Sequence, residues 1–260
     1  MINYKTAVIL CGGKGTRLGN IGKKLPKTLI QIQKKPILWY IINELINHGG
    51  FDHFILPVGH QGDKIEKYIK KNFFSKKYES IKFDIIKTGI NTSISNRIFK
   101  VSSKIISDHF LLLNGDAIFS FKLKKFFFEH IKNNTDLTLF ACNVISAFGV
   151  VITNNLKPVN FKRDMIYGSI NGKQKNVTGE IYTGMSIIKT ELLKKIKFKN
   201  SNNFEMNFFP KILMSKKYNS ELRKVNGFWY AMDDLKAINL TKINLKKNSI
   251  SINIRKINKY

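Results

Sequence analysis

Apolar residues along this chain follow two alternating rhythms. Short unbroken apolar runs, such as Thr6-Ala7-Val8-Ile9-Leu10-Cys11, alternate with longer stretches in which apolar positions recur every three or four residues. A short run bounded by turn formers marks a strand buried on both faces, and the three-to-four spacing marks an amphipathic helix. Strands are therefore predicted at 6–11, 54–58, 81–87, 110–113 and 137–142. Helices are predicted at 36–47, at 61–73, within 91–106 and at 123–132. In the first of these the buried face is Ile37, Leu38, Ile41, Ile42 and Leu45. The second ends in Lys70 and Lys71, where the helix dipole favours cations. A glycine-rich loop, 12–22, follows the first strand.

Strand and helix alternate through about residue 142, which predicts an α/β fold with a Rossmann-like, doubly wound mixed sheet. The rhythm then changes. Residues 148–153, 159–161 and 181–188 read as pieces of a small β-ribbon insertion on the substrate side, with a polar, glycine-containing connection at 164–179. Helices are expected at 190–196 and 205–215. The organisation expected is one domain over 1–240 in two halves, 1–142 and 143–240. A basic tail, 241–260, forms a helix or a short β arm. No internal repeat is visible.

Composition narrows the class. A chain of 260 residues with 43% hydrophobic residues can bury a core without disulfides or structural metal. Its two cysteines, Cys11 and Cys142, have no metal-ligand spacing and are too few for a disulfide scaffold, so a reducing cytoplasm is the expected location. No signal peptide is read, and no apolar run approaches the roughly 20 residues of a membrane span. The net charge of +28 invites a nucleic-acid reading. The lysines, however, are dispersed in pairs such as Lys23-Lys24 and Lys194-Lys195, and no nucleic-acid-binding motif accompanies them. A general positive field that recruits anionic substrates is the simpler account.

Four segments carry candidate chemistry. In Leu10-Cys11-Gly12-Gly13-Lys14-Gly15-Thr16-Arg17 the backbone sheds its side chains as a strand ends. Successive N–H groups can then line an anion nest. Lys14, Arg17 and Lys27 bring three cations to the same loop, which equips it for a triphosphate. The spacing is neither a Walker A loop nor a dinucleotide fingerprint. The second segment is Asn114-Gly115-Asp116, which puts a carboxylate just past the C-terminal end of a buried strand. That is where α/β sheets bind ligands, and a hard oxygen there suits Mg²⁺. The third is Gly227-Phe228-Trp229-Tyr230-Ala231-Met232-Asp233-Asp234, whose acids serve a metal or a helix cap. The fourth, Thr88-Gly89-Ile90-Asn91-Thr92-Ser93-Ile94-Ser95-Asn96-Arg97, offers short polar groups to a base or ribose, or simply caps a helix. The five histidines form no triad or metal spacing, and Cys11 reads as packing.

Residues 7–27 resemble the GGxGTRL…PK signature of the sugar-phosphate nucleotidyltransferases. The 227–234 segment resembles the FWxxMD element of the glucose-1-phosphate cytidylyltransferase branch. The fourth segment is similar to that branch's TGxxTxTGGR loop, matching at Thr88, Gly89, Thr92 and Arg97 and departing at Ile94, Ser95 and Asn96. The resemblance spans roughly 6–240 and implies the nucleotide-diphospho-sugar transferase type of fold, with 1–142 as the nucleotide-binding half and 143–240 as the acceptor-binding half. It implies nucleotide contacts at Leu10, Cys11, Gly12, Gly13, Lys14, Gly15, Thr16, Arg17, Lys27, Thr88, Gly89, Thr92 and Gly115. Arg17 and Lys27 would be the catalytic cations, Asp116 and Asp233 the Mg²⁺ ligands, and Asp234 a helix cap. Acceptor contacts are expected from Gly149, Lys162, Arg163, Thr183, Gly184 and Trp229. The family's Glu-Lys-Pro near the sugar phosphate is replaced here by Phe161-Lys162-Arg163-Asp164, and Lys162 or Arg163 would hold the acceptor phosphate.

The expected activity is Mg²⁺-dependent transfer of CMP from CTP to a phosphorylated acceptor, a glucose-1-phosphate-like sugar, with release of pyrophosphate. The CDP-linked product would feed surface polysaccharide synthesis. The partners are thus CTP and a small phosphorylated acceptor, with no specific nucleic acid and no membrane insertion; a homo-oligomer is compatible with this reading. Alternatives are the same chemistry with another nucleotide or a non-sugar phosphate, a non-catalytic nucleotide-binding regulator, and a nucleic-acid binder.

Overall fold

The computed structural model describes residues 4–145, 150–154, 157–162, 166–167, 169–171, 178–225 and 228–247. Its centre is a seven-stranded mixed sheet. In chain order the strands of this sheet and of a neighbouring pair are β1 (Thr6–Leu10), β2 (His53–Val58), β3 (Lys82–Lys87), β4 (His109–Asn114), β5 (Ala117–Ser120), β6 (Leu137–Ala141), β7 (Tyr182–Lys189), β8 (Ser220–Lys224) and β9 (Phe228–Ala231). Across the sheet the order is β8-β6-β7-β4-β1-β2-β3. Strands β4, β1, β2 and β3 run parallel, β8 runs parallel to β6, and β7 is antiparallel to both its neighbours.

The unbroken apolar run of β1 follows from its central place. Ala7 and Ile9 enter one core layer with Ile41, Ile65 and Phe127, whereas Val8 enters the other with Ile98, Phe204 and Phe208. A strand covered on both faces has no polar side to show. The covering helices are α1 (Gly19–Lys24), α2 (Ile37–Glu44), α3 (Gly62–Phe73), α4 (Ile94–Val101), α5 (Leu123–Lys132), α6 (Phe204–Leu213) and α7 (Leu235–Lys247). In α3, Ile65, Ile69 and Phe73 are four residues apart and fully buried. This single stripe docks the helix on the sheet.

Several elements differ from the sequence reading. The helix expected over 36–47 is α-helical only to Glu44 and continues as a wider π-type turn, Leu45–Gly49. The loop expected at 12–22 contains a 3₁₀ turn, Thr16–Leu18, and then α1. Gly22 makes this possible: a Cβ there would collide with the carbonyl oxygen of Gly15. The segment expected as a third ribbon piece, 181–188, is β7, which sits between β4 and β6 in the central sheet. Its polar residues misled the assignment; Thr183 and Ser186 are both buried. A true ribbon exists where Val150–Asn154 pairs with Lys157–Lys162. Past residue 240 the chain is helical, because α7 runs across the expected tail boundary to Lys247; residues 248–260 lie outside the described residues.

Candidate active site

The site lies at the C-terminal ends of β1, β2 and β4. The chain leaves β1 at Leu10 and crosses Cys11, whose N–H donates to the Pro57 carbonyl. Gly15 adopts a left-handed conformation, φ 62°, to start the 3₁₀ turn, and the Leu18 N–H donates to its carbonyl. Only glycine enters that region without strain. Beside the loop lies a cleft of about 570 Å³, lined by Leu10, Gly12, Gly13 and Lys14 on one side and by Asn114, Gly115 and Asp116 on another. The wall following β3 contributes Ile90 to Ile94 and Arg97, and Asn202 completes it.

Strand pairing brings the two acids together from opposite ends of the chain. β9 runs antiparallel to β5 with Ala231 opposite Ala117. One residue further, the Met232 N–H donates to the Asp116 carbonyl at 2.9 Å. Asp116 and Asp233 thereby converge on one cation. Lys27 Nζ donates to Asp116 Oδ2 at 2.7 Å and to Asp233 Oδ1 at 2.8 Å. Lys27 follows Pro26 in a short 3₁₀ turn, Lys27–Leu29, which aims its side chain at the acids. Asp234 caps α7, its Oδ1 accepting from the Ala237 N–H at 2.8 Å.

Two carboxylate oxygens within hydrogen-bonding reach of one ammonium are also a suitable donor set for a divalent cation. Mg²⁺ is held by one or two carboxylates together with substrate phosphates and water, not by an all-protein cage.

Arg97 is the least legible part of the site. Its guanidinium is buried and donates to the Thr88 hydroxyl and to the carbonyls of Val58 and Ile90. No carboxylate pairs with it among the described residues. Burial lowers its pKa from the ordinary arginine value. Gly12 and Gly59 close over the group, since a Cβ at either would run into the guanidinium. An uncompensated cation thus lies directly beneath the glycine loop.

Other expected contacts are placed differently. Thr88 is buried, and its hydroxyl is used by Val58 and Arg97 and does not face the cleft. Gly89, φ 101°, forms the turn above it. Thr92 lines the cleft, but its hydroxyl donates to the Thr88 carbonyl. Cys11 is packed, and burial together with Asp116 pushes its thiol far above the ordinary range. Gly15, Thr16, Arg17 and Lys27 lie outside the cleft lining, with Thr16 and Arg17 exposed.

On the acceptor side, Thr183 is buried and donates to the Phe140 carbonyl, so it serves the sheet. Gly184, φ 74°, is held against the Asn114 side chain. Trp229 packs on the core, where its indole N–H finds no partner among the described residues. Lys162 ends the ribbon strand. Gly149 and Arg163 lie outside the described residues. Sequence reasoning missed Asn114, which ends β4, and Asn202, in the segment before α6; a lone asparagine carries no signature.

Comparison with known proteins agrees with this architecture. The chain is 32% identical, over 82% of its length and 86% of the relative, to a D-glycero-alpha-D-manno-heptose 1-phosphate guanylyltransferase of Aneurinibacillus thermoaerophilus. It is 28% identical, over 92% of its length and 94% of the relative, to a probable glucose-1-phosphate cytidylyltransferase of Bacillus subtilis. Among solved structures, HddC from Yersinia pseudotuberculosis, complexed with GMP-PN, shares the fold with a TM-score of 0.66 at 21% identity, covering 93% of this chain and 99% of that one. The sequence model described as Nucleotidyl transferase matches residues 6–229, from β1 to Trp229 in β9, and on that span the chain belongs to the nucleotidyl transferase family.

Proposed function

We propose that this protein transfers CMP from CTP to a sugar 1-phosphate and releases pyrophosphate. The observation that carries the reading is the convergence of Asp116 and Asp233 on Lys27 beside a glycine-lined cleft. A phosphate oxygen of the acceptor attacks the α-phosphorus of the nucleotide in line, and the bond to pyrophosphate breaks. No general base is needed, because the attacking phosphate is already anionic. Gly12, Gly13 and Lys14 cradle the triphosphate. Lys27, with Arg17 on the adjoining turn, offsets charge that grows on the phosphates. Arg97 adds a fixed positive charge under the loop.

Asp116 and Asp233 would hold Mg²⁺, which would supply positive charge to offset that of the phosphates. CTP is favoured by the Phe228-Trp229-Tyr230-Ala231-Met232-Asp233 segment and by the cytidylyltransferase relative that aligns over 92% of the chain. A CDP-sugar made this way suits the assembly of a surface polysaccharide. GTP with a heptose 1-phosphate is the second reading, favoured by the 32% identical guanylyltransferase.

Incubation with Mg²⁺, each of CTP, GTP, UTP, ATP and dTTP, and a panel of phosphorylated sugars and non-sugars tests both. Pyrophosphate release greatest with CTP and a hexose 1-phosphate supports the first reading. Release confined to GTP replaces it with the second, and no release with any pair sinks both.

A further inference from the structure

The wall of the cleft after β3 is tied to a distant piece of chain. Asn200 adopts a left-handed backbone, φ 65°, a conformation that asparagine tolerates better than most residues. Its N–H donates to Asn96 Oδ1 at 2.9 Å. Ser201 Oγ meets Ser95 Oγ at 2.6 Å and also lies 2.8 Å from the Phe198 carbonyl. Phe198 is buried edge-on against Phe204 and Phe208, which anchors the turn in the core. Asn203 is occupied at the start of α6, accepting from the Met206 N–H. Within the run Asn200-Ser201-Asn202-Asn203, Asn200 is held through its backbone and Ser201 and Asn203 through their side chains, whereas the Asn202 side chain makes no hydrogen bond to the described residues and lines the cleft.

The two residues that hold this turn, Ser95 and Asn96, stand where the resembling motif has Gly-Gly. Glycines have no side chains with which to make either bond. The departure from the motif and the connection to Asn202 are therefore the same feature.

Sheet order indicates what Asn202 faces. Asp116 follows β4, the glycine loop follows β1, and the 88–97 segment follows β3. Strands lie about 4.8 Å apart, so the end of β3 stands roughly 10 Å from the end of β1, and the wall that follows it rises on the side of the glycine loop away from Asp116, with the Arg97 side chain reaching back beneath the loop. With phosphates over the loop, the part of a nucleotide that reaches this wall is its base.

We infer that Asn202 reads the nucleobase edge and that Ser95 and Asn96 are positioning residues that hold it there. Its carboxamide offers one acceptor and two donors, enough to pair with the amide-like edge of a pyrimidine or purine. The inference rests on the nucleotide-binding reading above and extends it to specificity.

The test is equilibrium binding of Mg²⁺-CTP, GTP, UTP and dTTP, by calorimetry, to the intact chain and to the variants Asn202→Ala and Asn96→Ala. The expected result is a three- to tenfold loss of discrimination between the preferred nucleotide and the others in Asn202→Ala, roughly one hydrogen bond, with an unchanged Tm. Asn96→Ala shows the same change in ratio, and Asn96→Asp, which keeps the accepting oxygen, restores it. Equal weakening toward all four nucleotides, or unchanged ratios, overturns the inference. Failure of the wild-type chain to release pyrophosphate overturns the catalytic reading alone, because the binding ratios are read without turnover.

Discussion

The Met232 N–H donates to the Asp116 carbonyl at 2.9 Å, and this bond sets the two acids of the site side by side. It extends the β5–β9 pairing by one step, so the position of Asp233 depends on strand register and not on a flexible loop. A one-residue slip in that register would turn Asp233 to the other face.

Asp116→Asn should lower kcat by about 100-fold or more while the fold persists, since it removes a charged oxygen from the centre that manages phosphate charge. Pyrophosphate release and circular dichroism measure the two halves of that statement. Full activity in the variant would sink the metal assignment. Chelation with EDTA should also silence the wild-type chain, and added Mg²⁺ should restore it.

Gly12→Ala should damage binding and stability together. The added methyl meets the Arg97 guanidinium, which is held in place by its bonds to Thr88, Val58 and Ile90. Overpacking of this kind costs about 1–3 kcal/mol. A drop in Tm accompanied by weaker nucleotide binding is the expected result. Gly13→Ala, with open space around its Cα, should leave Tm nearly unchanged and serves as the control.

Cys11→Ala should leave kcat within about threefold of wild type, because no covalent step uses the thiol. The native protein should likewise resist inactivation by iodoacetamide. The thiol is buried, and its pKa is raised first by that burial and then by Asp116. Rapid alkylation with loss of activity would contradict this.

Stability should fall in mild acid. His130 is fully buried and bonded to His109 and the Thr138 hydroxyl. Burial, then the charge of His109, lowers its pKa from 6.5 to about 3. Below pH 6.5 the unfolded chain therefore holds a proton at this site that the folded chain lacks. The stabilisation is full above that pH and shrinks as pH drops toward 3, by at most about 1.4 kcal/mol per pH unit for one such group. His53 and His109 are lowered too, mainly by burial, and act in the same direction. Thermal melts between pH 7 and 5 should show the decline, and His130→Gln should flatten it. An identical slope in the variant would assign the effect elsewhere.

Much of this architecture is legible in the residues alone. The β1 run, the glycine loop and Asp116 past a strand end each carry a local pattern, and local patterns survive folding. What was not legible depends on partners distant in the chain. Periodicity says that 182–189 is buried, but not that it slides between β4 and β6. Thr88 and Thr183 look like ligand contacts because hydroxyls often are, yet both satisfy backbone carbonyls. Phe228–Ala231 reads as aromatic packing until its pairing with β5 is known. Arg97 resembles any helix cation until Gly12 and Gly59 are seen to fold over it.

The order of the parts along the chain has a consequence for biosynthesis. The loop, Arg17 and Lys27 emerge from the ribosome within the first 27 residues, whereas Asp233 emerges more than 200 residues later. Between residues 116 and 233 the nascent polypeptide has the glycine loop and only one of the two acids. Domains fold as their residues become available, and β9 can pair with β5 only near the end. Pairing of the two acids is thus a late event of folding, and a chain stalled before residue 233 should carry the glycine loop with Asp116 alone.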